Sequence, residues 1–361
     1  GNTVGNKSIA IGSNALGLQN PATATDMYNV AIGYNCGDSV TTGKSNTLVG
    51  AEVAGALNAG ENNVAVGYHA LKTATGDTET VAVGVQALET QNKNGTASNT
   101  AVGFRAGRDT TNGASNTFIG AEAGLTNTTG QGQTAVGRGA LAAQASNDNT
   151  AIGNYALNAA TGGSNTALGQ VAGFQITSGS NNLALGKDAL RTGSPGGPAT
   201  TDSNVVGLGD ENIASLHCQV ALTVSSDQRD KTDFVDLDLG LDFVKALEPV
   251  TYYWDKRAKY LSRNNEDGTP NTDYDLDSVT PDGTHKEDWM DVGFTAQSVQ
   301  ALEEAAGYKV ADKKNLTVSV NSDGKQLGLR YEKFIPILVK AIQEQDAIIQ
   351  SLTARITALE S

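Results

Sequence analysis

A glycine preceded by an aliphatic residue recurs through the first 210 residues, and this repeat constrains the fold more than any other feature. Successive copies are mostly 16 or 17 residues apart. A short, nearly fixed period is typical of stacked repeat architectures, in which each copy adds one turn to a solenoid-like array. The repeated glycines are Gly12, Gly33, Gly50, Gly67, Gly84, Gly103, Gly120, Gly137, Gly153, Gly169, Gly186 and Gly207.

Each repeat carries the same short pattern around its glycine. The preceding residue is Ile, Val or Leu in all twelve copies, the residue two before it is Ala in nine, and the residue four before it is Asn in eight. The alternation predicts a short strand in which Thr100 and Val102 share one face and Ala101 points the other way. One repeat is too small to enclose a core, so neighbouring copies must share it. We expect the repeated Asn side chains to form a ladder that bonds to the coils above and below.

The many Ala positions suggest that backbones approach closely, as they would if several chains wound around a common axis. The pattern of Ser98-Asn99-Thr100-Ala101-Val102-Gly103 resembles the parallel β-roll of trimeric autotransporter adhesin heads, and still more the longer-period version in bacteriophage tail fibres. This resemblance implies a mainly β fold for residues 1–210, a trimeric parallel β-roll or β-solenoid of repeats of about 17 residues.

Composition and charge argue against several classes of function. The net charge of −14 is unsuited to nucleic acid, because such binding needs cationic patches. No apolar run is long enough to span a bilayer, so no membrane insertion is expected. Cys36 and Cys218 lack metal-ligand spacing, and the three histidines are scattered, so neither a metal site nor any cofactor is predicted. Since the first residue is Gly, we expect a fragment or a processed product.

The pattern changes after residue 210. Residues 211–225 are β-branched and roughly alternating, which predicts junction strands. Residues 226–361 have fewer glycines and more helix formers, which indicates an α+β domain. Within it, residues 262–288 are rich in Asp, Asn, Gly and Pro and read as a mobile acidic loop with little to bury. Leu316 to Val320 and Gln326 to Arg330 predict a hairpin.

Residues 331–361 predict one long helix with a coiled-coil seam. Its seam positions follow alternating spacings of 3 and 4 residues, which is the pattern of helices that supercoil around each other. Those positions are Ile335, Leu338, Ile342, Gln345, Ile349, Leu352, Ile356 and Leu359.

Several blocks of the C-terminal domain occur in the order known from one family. The domain resembles the intramolecular chaperone of phage endosialidases, tail spikes and tail fibres, the peptidase family S74. The blocks are Ser226-Asp227-Gln228-Arg229-Asp230-Lys231, Gly240-Leu241-Asp242-Phe243 with Leu247-Glu248-Pro249-Val250, Val292-Gly293-Phe294-Thr295-Ala296-Gln297, and Tyr331 through Gln345. The resemblance implies a domain that trimerises, holds three repeat chains in register and then releases itself by self-cleavage.

The same resemblance places the chemistry at the start of the domain. It implies a serine nucleophile, Ser226, activated by a lysine base, Lys231, with the cut between Ser225 and Ser226 and the next bond as the fallback. Asp227 and Arg229 belong to the motif and are assigned orientation or charge balance. Asp230 stands where the family usually has an apolar residue, and its carboxylate could keep Lys231 protonated.

The sequence therefore predicts a trimeric viral tail-fibre segment that attaches to a host cell-surface receptor, a glycan or an outer-membrane component. It would be assembled in the host cytoplasm and act in the virion. The self-cleaving serine endopeptidase would act once, on its own chain. The alternative is a bacterial trimeric surface adhesin or structural stalk with a non-cleaving assembly domain. A glycan-degrading enzyme is not favoured, because the carboxylates Glu52, Glu79 and Glu122 are dispersed.

Overall fold

The computed structural model describes residues 5–219 and 221–360, which form two compact units. The first comprises Gly1–Asn212 together with Ser262–Asp275, and the second comprises Ile213–Leu261 and Leu276–Ser361. The strands of the first unit are β1 (Gly5–Asn6), β2 (Ile9–Ile11), β3 (Thr25–Asp26), β4 (Val30–Ile32), β5 (Thr47–Val49), β6 (Val64–Val66), β7 (Val81–Val83), β8 (Thr100–Val102), β9 (Thr117–Ile119), β10 (Thr134–Val136), β11 (Thr150–Ile152), β12 (Thr166–Leu168), β13 (Leu183–Leu185) and β14 (Val206–Leu208).

The repeats form a parallel β-solenoid, as the glycine period predicts. Twelve strands, β2 and β4 to β14, lie side by side in chain order in one sheet, and β1 pairs separately with β3. Equivalent positions of successive repeats are paired, as in Thr134 with Thr150 and Val136 with Ile152. One coil therefore contributes one strand.

The last coil departs from the predicted alignment. Strand β14 pairs so that Gly207 lies opposite Ala184 and Leu208 opposite Leu185. The glycine equivalent to Gly186 is therefore Gly209, and taking Gly207 as the final repeat glycine is wrong. Gly207 fills the inward position, where a Cβ would lie only 2.3 Å from the Leu190 side chain. The longer loop before β14 causes the offset.

The core of the solenoid lies inside the coils of a single chain. Ala31, Ala101 and Ala167, each two residues before a repeat glycine, are fully buried. The aliphatic residues before the glycines face outward, and Val102 and Ile152 are more than a third exposed. The inference that Ala marks contact between chains is therefore wrong, because these methyl groups pack within their own coil.

Buried asparagines bond from coil to coil, which confirms the predicted ladder. Asn46 Nδ2 donates to the Gly60 carbonyl at 2.9 Å, and its Oδ1 accepts from the backbone N–H of Asn63 at 3.1 Å. Asn63 repeats the arrangement toward Asp77 and Thr80. Each Asn thus satisfies a donor and an acceptor of the backbone that the solenoid has removed from water.

The repeat glycines are required by the close stacking of the coils. Gly33 has φ +141°, and a Cβ there would lie 2.1 Å from the carbonyl oxygen of Gly50. Gly153 has the same φ and meets Gly169 in the same way. Only a residue without a side chain fits this backbone conformation and this approach.

The second unit is a small α+β region. Its elements are α1 (Leu241–Ala246), β15 (Val250–Tyr253), β16 (Met290–Gly293), α2 (Ala296–Ala305), β17 (Val318–Val320), β18 (Leu327–Leu329) and α3 (Phe334–Glu360). Strands β15 and β16 pair antiparallel, and β17 and β18 form the predicted hairpin. Its core gathers Leu239, Phe243, Val299, Val318, Phe334 and Ile337.

The long terminal helix is confirmed as α3, but most of its predicted seam is not covered within the chain. Ile342 is 64% exposed and Ile349 is 52% exposed, whereas Ile337 on the opposite face is buried in the core. The seam therefore leaves a largely apolar stripe exposed along the helix, interrupted by Gln345. None of the described helices is long and apolar enough to cross a membrane.

Two expectations for the irregular segments are wrong. The described residues of 211–225 form no strand, since those after Glu211 are exposed and pair with no neighbouring strand; Val220 lies outside the described residues. The stretch 262–275 does bury side chains, since Pro270 and Tyr274 are buried among the residues of the first unit.

Candidate functional site

A tight turn brings the side chains of Ser226 and Lys231 together. Residues Gln228–Asp230 form a single 3₁₀ turn, closed by a bond from the backbone N–H of Lys231 to the Gln228 carbonyl at 3.2 Å. The chain leaves the turn in an extended conformation at Lys231. The lysine Nζ consequently lies 2.5 Å from the Ser226 hydroxyl oxygen.

The motif residues Asp227 and Arg229 build this turn. The Asp227 carboxylate caps it by accepting from the Arg229 backbone N–H at 2.9 Å. The Arg229 guanidinium closes back onto the same carboxylate, with Nη2 2.7 Å from Oδ2. The Arg229 side-chain hydrogen bond, followed by the backbone one, lowers the pKa of Asp227. The pair therefore keeps its opposite charges and holds the loop that brings Ser226 to Lys231.

Asp230, which is predicted to keep Lys231 protonated, directly precedes it at the end of the turn. Asp230 lies inside the 3₁₀ turn, and within the described part of the chain it makes no ion pair with Lys231. Lys231 Nζ instead lies within hydrogen-bonding distance of Ser226 Oγ. Ser226 is therefore the side chain that Lys231 contacts, and the effect of Asp230 on the protonation of Lys231 stays a prediction.

The whole motif is exposed to solvent. Ser225, Ser226 and Lys231 are all exposed, and none of the residues that the structure describes covers them. A serine hydroxyl becomes a nucleophile when a neutral amine accepts its proton, and lysines serve as bases when they are shielded from water. The single chain thus holds the two groups at bonding distance without yet providing that shielding.

The start of α1 and the helix α3 are distant in sequence but contact each other in the second unit. The Glu344 carboxylate of α3 accepts from the backbone N–H of Leu241 at 2.7 Å, at the start of α1. A Cβ on Gly240 would lie 2.2 Å from the same carboxylate oxygen. Gly240 therefore leaves room for Glu344 to cap α1, which ties the start of the domain to its last helix.

Sequence reasoning missed one cluster in the first unit. Asp188, Arg191, Glu211 and Arg263 form a buried set of ion pairs in the last coil. No signal in the sequence distinguishes this cluster, because the equivalent positions of other repeats also carry charged residues, such as Glu122 and Arg108. Among the described residues, no group of His, Cys, Asp and Glu is arranged to hold a metal ion.

The comparisons with known proteins assign the segment that carries the Ser–Lys pair. Residues 226–308 match the family model Peptidase_S74, described as the chaperone of endosialidase. The match begins at Ser226 and ends before the hairpin and α3. It covers less than half of the chain, so it characterises this segment and not the repeats. No curated protein and no solved structure matches the chain.

Proposed function

We propose that the chain is part of a homotrimeric fibre whose C-terminal domain aligns three chains and then cuts itself from the repeat region. The observation that carries the proposal is the 2.5 Å approach of Lys231 Nζ to Ser226 Oγ at the first residue of the matched segment. When a serine and a lysine lie within hydrogen-bonding distance, the lysine can act as the base that activates the serine as a nucleophile.

The proposed reaction uses only this chain and one water molecule. Neutral Lys231 accepts the hydroxyl proton as Ser226 Oγ attacks the carbonyl carbon of Ser225. The Ser225–Ser226 amide C–N bond breaks, the new amino group takes the proton, and the acyl group is left as an ester on Oγ. Water then hydrolyses the ester, which frees the Ser225 carboxyl group and restores the hydroxyl. Each chain reacts once because nucleophile and substrate are joined.

Association of three chains would shield the exposed Ser226 and Lys231 side chains from water. The surface of the solenoid supports such an association. A row of outward aliphatic side chains runs along the solenoid, one per coil and each at least partly exposed. At about 4.8 Å per strand the row extends for roughly 50 Å, and large contiguous exposed apolar patches mark interaction surfaces of soluble proteins. Its members are Ile11, Ile32, Val49, Val66, Val83, Val102, Ile119, Val136, Ile152, Leu168, Leu185 and Leu208.

The α3 seam provides the second contact between copies. Its exposed Ile and Leu residues face away from the domain core and would be covered by the same helix of two other chains. A parallel bundle of this kind would fix the register of near-identical repeats, which otherwise slip by one coil at little cost. It also raises the local concentration of the partner chains.

The biological setting is part of the same proposal. A self-cleaving assembly domain behind a solenoid suits a bacteriophage tail fibre, made in the host cytoplasm and carried on the virion. The solenoid surface would then contact a glycan or another component of the host cell surface. Finding the gene among virion genes would support this setting, and finding it among bacterial surface-protein genes would favour the adhesin alternative.

Matched serine variants test the cleavage. Wild type and Ser225→Ala should both separate into residues 1–225 and 226–361 on a denaturing gel, while Ser226→Ala should remain intact. Lys231→Ala should slow the cut by about 10²- to 10⁴-fold, the usual contribution of a general base. Mass spectrometry of the new N-terminus distinguishes Ser226 from Asp227. Equal cutting of wild type and Ser226→Ala would refute the dyad.

A further inference from the structure

The last coil of the solenoid contains a buried arginine, which none of the other described coils has. Arg191 is only 1% exposed, and its Nη1 lies 2.8 Å from Oδ1 of Asp188, which is equally buried. The guanidinium also lies over the Phe174 ring at 5.5 Å. A buried guanidinium has five N–H donors to satisfy, so a single carboxylate is not enough.

Two further acceptors come from residues 262–275, which we call the anchor segment. Arg191 Nη2 donates to the carbonyl of Arg263 at 2.9 Å and to that of Asn271 at 2.7 Å. The segment is bent so that these two carbonyls converge, because the backbone N–H of Asn271 donates to the Arg263 carbonyl at 2.9 Å. A second bond joins Asn271 Nδ2 to the Ser262 carbonyl at 2.9 Å.

The anchor segment also contributes a charged side chain, Arg263, that pairs with carboxylates of the last coil. The Arg263 guanidinium makes a two-pronged ion pair with the Glu211 carboxylate and lies 3.8 Å from Asp188. It also lies over the ring of Tyr274 at 5.1 Å. The side chain of Arg263 is 10% exposed and that of Glu211 is 8% exposed. Two arginines and two carboxylates thus balance each other away from water.

Undocking the segment would break this balance on both sides. Arg191 would lose two carbonyl acceptors, and the ion pair between Arg263 and Glu211 would separate. Removing one member of a buried, hydrogen-bonded charge pair is strongly unfavourable and acts mainly on the rate of dissociation. The apolar contribution adds to this, since Tyr274 is 5% exposed in the docked state.

The two sides of this contact belong to different products of the proposed cut. Asp188, Arg191 and Glu211 precede Ser225, whereas the anchor segment follows Ser226. The described residues around the cut are exposed and make no regular structure that would hold the ends together beyond the small turn after it. The covalent link and the charge contact are therefore independent attachments between the same two fragments.

We propose that the anchor segment holds the C-terminal fragment on the last coil of the solenoid after the chain has been cut. Cleavage between Ser225 and Ser226 then removes only one of two attachments. Release requires the further separation of Arg191 and Arg263 from their partners, so the cut product is a complex and not two free fragments. The inference rests on the proposed self-cleavage for the origin of the cut, but the contact itself does not depend on it.

The test measures retention after cutting under native conditions. The cleaved wild-type protein is bound through a tag at the start of the repeats, and loss of residues 226–361 from the resin is followed over time at low and high salt. We expect the fragment to stay bound at low salt. Arg263→Ala should release it about 30-fold faster or more, the size expected for truncating one partner of a buried charge pair. Complete loss of the wild-type fragment in the first wash would overturn the proposal.

Two variants serve as controls. Glu266→Ala changes an exposed residue of the same segment and should be retained like wild type. Arg263→Lys keeps the charge but not the two-pronged geometry, and should fall between wild type and Arg263→Ala. If Arg263→Ala does not fold, the release rate of Arg263→Lys is compared with that of wild type instead. Release of Arg263→Lys at the rate of Glu266→Ala would contradict the assigned contact.

A second cut separates this inference from the self-cleavage. In the Ser226→Ala chain, a recognition sequence for a site-specific protease is inserted between Leu222 and Thr223, where both residues are exposed. Retention after the added protease has cut supports the anchor even if the chain never cuts itself. Immediate separation of these fragments refutes the anchor whatever the fate of the dyad.

Discussion

Replacing Asn165 by Ala should open the solenoid locally at its neighbouring coils. Asn165 is fully buried. Its Nδ2 donates to the Gly179 carbonyl at 2.9 Å, and its Oδ1 accepts from the backbone N–H of Asn182 at 3.0 Å. The substitution leaves both backbone groups buried without these partners, whereas the bond from Asn165 N–H to Asn149 is retained.

The magnitude follows from the two orphaned groups. Leaving one buried donor or acceptor unsatisfied costs about 1 to 3 kcal/mol, so the pair should cost roughly 2 to 6 kcal/mol of local stability. Because coils contact only their neighbours, the loss should be confined to the coils on either side. We expect amide hydrogen exchange to accelerate most at Asn182 and around Gly179, with distant coils unchanged.

Asn154→Ala is the matched control for this measurement. Asn154 has the same side chain on the preceding coil, but it is exposed, and its described contact is made by its backbone carbonyl. Its substitution should change the local free energy of unfolding, measured by amide exchange, by no more than about 0.5 kcal/mol, the range typical of surface changes. If Asn165→Ala and Asn154→Ala exchange equally slowly at Asn182, the asparagine ladder does not stabilise the solenoid as argued.

Two further predictions concern association and thiol chemistry. Ile349→Asp should dissociate the proposed trimer, because it places a carboxylate in the α3 seam and removes an apolar contribution of at least about 2 kcal/mol per copy. Ser351→Asp, two residues away and off the seam, should remain trimeric by sedimentation, and equal behaviour of the two would contradict a seam at Ile349. A thiol reagent at pH 8 should label exposed Cys218 quickly and Cys36 only after unfolding, because burial raises the pKa of Cys36 to about 11 and excludes the reagent. Rapid labelling of two thiols per chain in the native protein would refute the enclosed position of Cys36.

The periodic features of this protein could be predicted from the sequence because they depend on local rules. A glycine that must adopt a positive φ beside another backbone recurs once per coil, so its spacing reveals the solenoid. The same holds for the Asn ladder, where each copy meets its equivalent in the next coil. The β17–β18 hairpin and α3 also follow from their own turn and heptad patterns.

The site was predicted only in part. The motif identified Ser226 and Lys231, but their approach depends on the Asp227–Arg229 pair, which closes the intervening turn. Spacing of five residues does not by itself set that geometry. The exposure of the dyad was also not visible in the sequence, because burial is decided by what packs over a residue.

Other features were decided only by the tertiary structure. Whether Ala101 faces its own coil or another chain depends on the direction in which the coil curves, which the alternation of residues along the strand does not determine. The alignment of Gly209 with Gly186 depends on how much chain the last loop holds. From the sequence alone the anchor segment is predicted to be an acidic loop, because the buried partner of Arg263, Glu211, lies far away in the chain. Periodicity records which positions are equivalent, whereas long-range packing of single residues such as Arg191 leaves no periodic trace in the sequence.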